Sequence, residues 1–134
     1  MNTHKVEYLI VGGYAVAYHG YPRATADLDV WVAASPDNAE RTVEALRAFG
    51  FDMPQLTPGL LIRESHILRM GVPPVRLEVL TSISGVEFRA CYGKRVVTEL
   101  DGVRTNIIDL ESLRANKRAA GRFKDLDDLE NLPG

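Results

Sequence analysis

Three acidic residues of this chain stand inside short apolar runs. Asp27 and Asp29 flank Leu28 and lead into Val30, Trp31 and Val32; Glu78 sits between Leu77 and Val79. Side chains alternate along a strand, so Asp27 and Asp29 share one face, with Cα atoms ~6.5–7 Å apart. Two like charges so placed disfavour each other's ionised form. A hard divalent cation relieves the repulsion, and Mg²⁺ takes few carboxylates plus water and substrate phosphate. The plainer reading of Asp-x-Asp is a solvated pair at a strand edge. Glu78 bears on that choice. Val75, Leu77 and Val79 take one face of their strand, which puts Glu78 on the other with Arg76. Were this strand to lie beside the first, three carboxylates would converge, as in two-metal phosphoryl transfer. Against that stands an ion pair of Glu78 with Arg76 or Arg69.

Gly12-Gly13 closes an apolar run and opens a helix. Backbone N–H groups at such a point attract phosphate oxygens, and absent side chains allow close approach. The pair is no P-loop, since no Gly-Lys-Ser/Thr follows, and it lacks the Gly-x-Gly-x-x-Gly spacing of dinucleotide folds. A second charged segment lies near the C-terminal end. Lys117, Arg118, Arg122 and Lys124 surround Gly121, and Asp125, Asp127, Asp128 and Glu130 follow. Cations at one helix end and acids at the start of the next satisfy both helix dipoles.

The elements that must position these residues are short. The sequence predicts strands over Val6–Val11, Leu28–Val32, Leu60–Met70 and Val75–Leu80. It predicts helices over Tyr14–His19, from a Ser35 cap through Pro36 to about Phe49, and over Val86–Tyr92. Arg95–Thr98 and Val103–Ile107 flank Asp101-Gly102, a hairpin turn. Asp109 caps a helix to about Ala119 that stops at Gly121. A last helix, about Lys124 to Leu132, turns Leu126 and Leu129 inward. Strands mixed with helices in 134 residues indicate one domain of α/β or α+β class, a mixed sheet with flanking helices. Tyr14, Tyr18 and Tyr21 are read as packing residues, His19 and His66 as structural, and Trp31 as a wall of the cleft.

Composition excludes several classes. The chain is 46% hydrophobic and 25% charged, which excludes disorder. A net charge of -2 leaves no overall footprint for duplex DNA. No apolar run approaches the ~20 residues of a membrane helix. Cys91 is alone, so no internal disulfide forms, and with no signal peptide in MNTHKVEY the expected home is the cytoplasm.

Taken together, Val11-Gly12-Gly13, Asp27-Leu28-Asp29 and Glu78 resemble the motif set of the polymerase-β-like nucleotidyltransferase superfamily. The run GGYAVAYHGYPRATADLDVWV is similar to the small bacterial nucleotidyltransferases related to abortive-infection toxins, and NKRAAGRFKDLDDLENL to their closing basic motif. The resemblance implies an enzyme that moves an NMP from an NTP to an acceptor hydroxyl. Asp27, Asp29 and Glu78 would be both catalytic and metal-binding, with two Mg²⁺ ions. Gly12 and Gly13 would cradle the triphosphate, with Lys117 and Lys124 against its β- and γ-phosphates and Arg122 nearby. Arg23 and Thr25 would hold phosphate or brace the Asp pair. The acceptor would be RNA, a protein or a small molecule, within a toxin–antitoxin or phage-defence system, with a cognate antitoxin or a second copy as partner. Three features depart from the family pattern: Glu78 where relatives more often carry Asp, a short stretch before the first strand, and no acceptor-selecting domain. They keep open a nucleotide-binding or partner-binding protein without turnover.

Overall fold

The computed structural model describes residues 5–20, 27–48, 57–62, 67–70, 76–100, 102–121, 126, 128–130 and 132. Six strands form one mixed sheet: β1 (Tyr8–Val11), β2 (Asp27–Val32), β3 (Ile67–Met70), β4 (Arg76–Leu80), β5 (Val96–Leu100) and β6 (Val103–Ile107), in the order β3-β4-β2-β1-β6-β5. The helices are α1 (Gly12–Tyr18), α2 (Pro36–Ala48), α3 (Phe88–Gly93) and α4 (Leu110–Ala120). This is an α+β fold, as expected. No described helix is long and apolar enough to cross a membrane.

The centre of the sheet explains its apolar runs. β2 pairs antiparallel with β1 and parallel with β4, so both edges of β2 are satisfied. Val30, Trp31 and Val32 are all at most 3% exposed, so β2 is covered on both faces. β1 is likewise buried along its length, from Tyr8 to Val11. That is why both segments read as continuous apolar runs rather than alternating ones.

Helix α2 begins as its sequence dictates. Ser35 Oγ accepts a hydrogen bond from the Asn38 backbone N–H at 3.3 Å, and Pro36 opens the helix. Asn38 has a larger task. Its side chain is fully buried, accepts from the Glu7 N–H at 2.7 Å, and donates to Glu7 O at 3.1 Å and Ala33 O at 2.9 Å. It therefore ties the helix start to the entry of β1 and the exit of β2. Nothing in its local sequence marks it for this role.

At the other end of the chain, Asp109 Oδ2 accepts from the Ser112 N–H at 3.2 Å, capping α4. Gly121 ends α4 in the left-handed region, φ 66°. The hairpin β5–β6 turns at Gly102, φ 78°, as the dipeptide predicts.

Four expectations are corrected. α1 starts at Gly12, not Tyr14, so the glycine pair belongs to its first turn. The strand expected over Leu60–Met70 is instead a single 3₁₀ turn, Pro58–Leu61, followed later by β3 at Ile67–Met70; Pro58 presets the turn's φ, and Leu61 is buried as its anchor. Tyr14 and Tyr18 do not pack inward: they are 48% and 42% exposed, four residues apart on the outer side of α1, whose buried side is Ala15 and Val16. Among the described residues of the C-terminal segment Leu126 is 48% exposed and Leu129 half-buried, and Asp128 and Leu132, one helical turn apart, are the buried positions.

Candidate active site

The sheet register brings two of the three expected carboxylates together. Asp29 of β2 is the direct partner of Glu78 in β4, in a parallel pairing that runs from Asp27↔Arg76 to Trp31↔Leu80. Neighbouring strands lie ~4.8 Å apart, and partners on one register turn to the same face. Alternation thus delivers what it promised: Leu77 and Val79 face away from Glu78, and Val79 is fully buried.

On the other side of β2, Val11 is the partner of Asp29. The chain turns into α1 one residue later, so the Gly12 backbone lies directly over the Asp29 carboxylate. A Cβ on Gly12 would run into Asp29 Oδ2 and sit 2.9 Å from its Cγ. Gly12 also takes φ 66°, which L-residues rarely adopt. The glycine is therefore required twice, once for the turn and once to seat the carboxylate.

These groups line one side of a cavity of about 510 Å³, a volume suited to a small molecule. Gly12, Gly13, Asp29, Glu78 and Arg69 form that side. Ser82, Ser84, Asn116 and Lys117 also line it. The loop after β4 is latched to α4: Asn116 Nδ2 donates to Ser84 O at 2.9 Å, and Gly85, φ 78°, faces Ala119 so closely that a Cβ would collide with it.

Lys117 lies in the last turn of α4 and is only 3% exposed. Its Nζ is 3.3 Å from Asp128 Oδ2, and Asp128 is 1% exposed. Burying an ammonium is costly unless an anion accompanies it. Asp128 meets that requirement and fixes where the charge sits beside the cavity. The sequence offered Asp128 only as one acid in a run of four. Only the structure singles it out, one helical turn from buried Leu132.

Glu78 carries an ion pair of its own. Arg69 Nε donates to Glu78 Oε1 at 3.0 Å, across the antiparallel pairing of β3 with β4. Of the two partners weighed from sequence, the structure selects Arg69 rather than Arg76.

Other expected residues fall elsewhere. Trp31 does not wall the cleft. It is 1% exposed and packs edge-on against Phe88 of α3, ring centroids 5.1 Å apart, because α3 covers that face of β2 beyond Asp29. His19 is structural, with Nε2 2.7 Å from Ile108 O. Cys91 is buried, and burial pushes its thiol pKa up, which suits no nucleophile. Asp27 opens β2, but its side chain lies outside the described residues, as do Arg23, Thr25, Arg122, Lys124, Tyr21 and His66.

Among the described residues no group of three or more His, Cys, Asp or Glu converges on a point. Two carboxylates, Asp29 and Glu78, line the same cavity from paired positions. Their hard oxygens, one seated against glycine backbone, fit a Mg²⁺ ion, which commonly takes one or two protein carboxylates and completes its shell from water and phosphate.

No protein-family model matches this chain, and no curated protein does. A solved structure does. A crystal structure of a "putative nucleotidyltransferase" from Thermotoga maritima superposes with a TM-score of 0.65, over 97% of this chain and 83% of that one, at 17% identity. The two chains share a fold. At that identity the likeness concerns architecture alone.

Proposed function

We propose that this protein is a Mg²⁺-dependent nucleotidyltransferase that moves an NMP from an NTP to an acceptor hydroxyl. One observation carries the reading: Asp29 and Glu78 are register partners on parallel strands, at the wall of a cavity that also holds Lys117 and the Gly12-Gly13 turn. The fold shared with the Thermotoga maritima protein supports it.

In this reading Asp29, Glu78 and Asp27 hold the metal. Bound Mg²⁺ would supply charge neutralisation at the attacking and leaving oxygens. The Gly12 and Gly13 backbone N–H groups face the triphosphate, and Lys117 offsets its charge from a position set by Asp128. Lys124 and Arg122, with Arg23 and Thr25, are proposed to complete the phosphate contacts. The acceptor oxygen attacks the α-phosphorus and its proton passes to Glu78. The bond from the α-phosphorus to the bridging oxygen breaks, and pyrophosphate departs. RNA, a protein hydroxyl and a small molecule are the acceptor classes to screen, and a toxin–antitoxin setting would supply either of the first two.

The test is transfer of α-labelled nucleotide with Mg²⁺, for wild type and Asp29→Asn, in an extract that supplies acceptors. Wild type labels an acceptor; Asn at 29 lowers the rate at least a hundredfold, in line with loss of a metal-holding carboxylate. Full activity in that variant would sink the mechanism.

The Arg69–Glu78 ion pair favours one alternative, a protein that binds nucleotide without turnover because its third carboxylate is committed to a cation. Calorimetry showing Mg²⁺-dependent nucleotide binding, with no pyrophosphate across the acceptor screen, selects it.

A further inference from the structure

Arg69 sits in an unusual position for a surface arginine. Its side chain is 68% exposed and lies on β3, an edge strand, yet its Nε reaches Glu78 Oε1 inside the cavity wall, where Glu78 is only 21% exposed. An ion pair this open contributes little to stability, and the backbone pairing of β3 with β4 already holds the strand. Holding the fold is therefore a poor account of it. Its chemical consequence is larger. The guanidinium places a fixed positive charge on the carboxylate that stands in register with Asp29. Unlike lysine, arginine cannot yield its place by losing a proton. It can yield only by swinging outward, and its exposure leaves it room to do so.

We propose that Arg69 and a divalent cation compete for Glu78, so that Arg69 sets the threshold at which the metal enters the site. This rests on the metal-dependent reading above. Arg69 is then a positioning residue: it holds Glu78 against β3, and metal entry requires the guanidinium to be displaced toward solvent.

The competition is measurable without any reaction. Mn²⁺ serves as the probe, titrated at fixed ionic strength without nucleotide and read by the electron-paramagnetic-resonance signal of the remaining aquo ion. Wild type, Arg69→Gln, Arg69→Lys and Asp29→Asn are compared, with circular dichroism as a check on folding. Removing a unit charge a few ångströms from a divalent ion in a water-exposed setting predicts Mn²⁺ binding about fivefold tighter in Arg69→Gln. Arg69→Lys keeps the charge and stays near wild type. Added salt narrows the gap between wild type and Arg69→Gln by screening the repulsion. Equal or weaker binding by Arg69→Gln, in a protein whose Mn²⁺ binding is still lost with Asp29→Asn, overturns this proposal alone. Wild-type binding no tighter than that of Asp29→Asn overturns both this proposal and the metal-dependent function.

Discussion

At the scale of single residues, the site depends on where small and charged groups can be tolerated. Gly12 shows this most sharply. Its left-handed backbone and its contact with Asp29 both forbid a side chain. Gly12→Ala is expected to cost about 1–2 kcal/mol from backbone strain. It should also rotate the short Asp29 side chain off its seat, because the new methyl approaches Cγ as well as the outer oxygen. Mn²⁺ affinity should therefore fall at least tenfold while the fold survives, which metal titration and thermal unfolding together would show. Unaltered affinity would mean that Asp29 does not need that seat. Lys117 and Asp128 make the complementary point. A buried cation beside a cavity is useful only if an anion holds it, and that anion came from a segment where sequence shows acids in excess. The glycine pair and Asp29 were legible in the sequence because apolar runs isolate them. Asp128 was not, because its neighbours carry the same charge.

At the scale of elements, short pieces are made exact by tertiary ties. α1 has seven residues and β1 has four, lengths that have little stability alone. Asn38 is one of the ties. Its amide bonds three backbone groups at the ends of β1 and β2, of which Glu7 O also accepts from the Ala33 N–H. Asn38→Ala leaves the half-buried Glu7 N–H and the buried Ala33 O without that partner and is expected to destabilise the protein by about 2 kcal/mol, a fall of roughly 7 °C in Tm. Asn38→Asp should do no better, since a carboxylate accepts from the Glu7 N–H but repels two carbonyls. Thermal denaturation of the two variants checks both statements. Element types were mostly readable where a cap, turn or apolar run announces them: Ser35-Pro36, Asp109 with Gly121, and the β1 and β2 runs. The segment around Leu60 is ambiguous in sequence, because apolar residues without period are equally compatible with a strand and with a turn anchored by one buried leucine.

At the scale of the whole molecule, long-range polar contacts bind the sheet to its covering helices, and one of them is sensitive to acid. Arg89 of α3 grips Glu7, just before β1, through Nη1 at 2.8 Å and Nη2 at 2.6 Å. Those hydrogen bonds hold the Glu7 carboxyl below its ordinary pKa of 4.5. A depressed carboxyl contributes stability above its unfolded value, and that contribution is lost as pH falls through the folded value. Thermal unfolding followed from about pH 6 to about pH 3 should thus fall more steeply for wild type than for Glu7→Gln, the two curves converging at the acid end. Parallel curves would show that the pair adds no pH dependence. The same distinction between local and distant causes separates sequence from structure throughout this protein. The sequence alone determined which residues are unusual for their surroundings: acids in apolar runs, a glycine pair at a strand end, caps and stops for most helices. Those are local facts, governed by alternation, propensity and backbone sterics over a few residues. Only the tertiary structure decided which of them meet. Strand order and register placed Glu78 beside Asp29 and Arg69 on Glu78, and helix docking buried Lys117 with Asp128. Such pairings join positions far apart in the chain, and their energies arise from desolvation and contact that exist only once the chain has closed on itself.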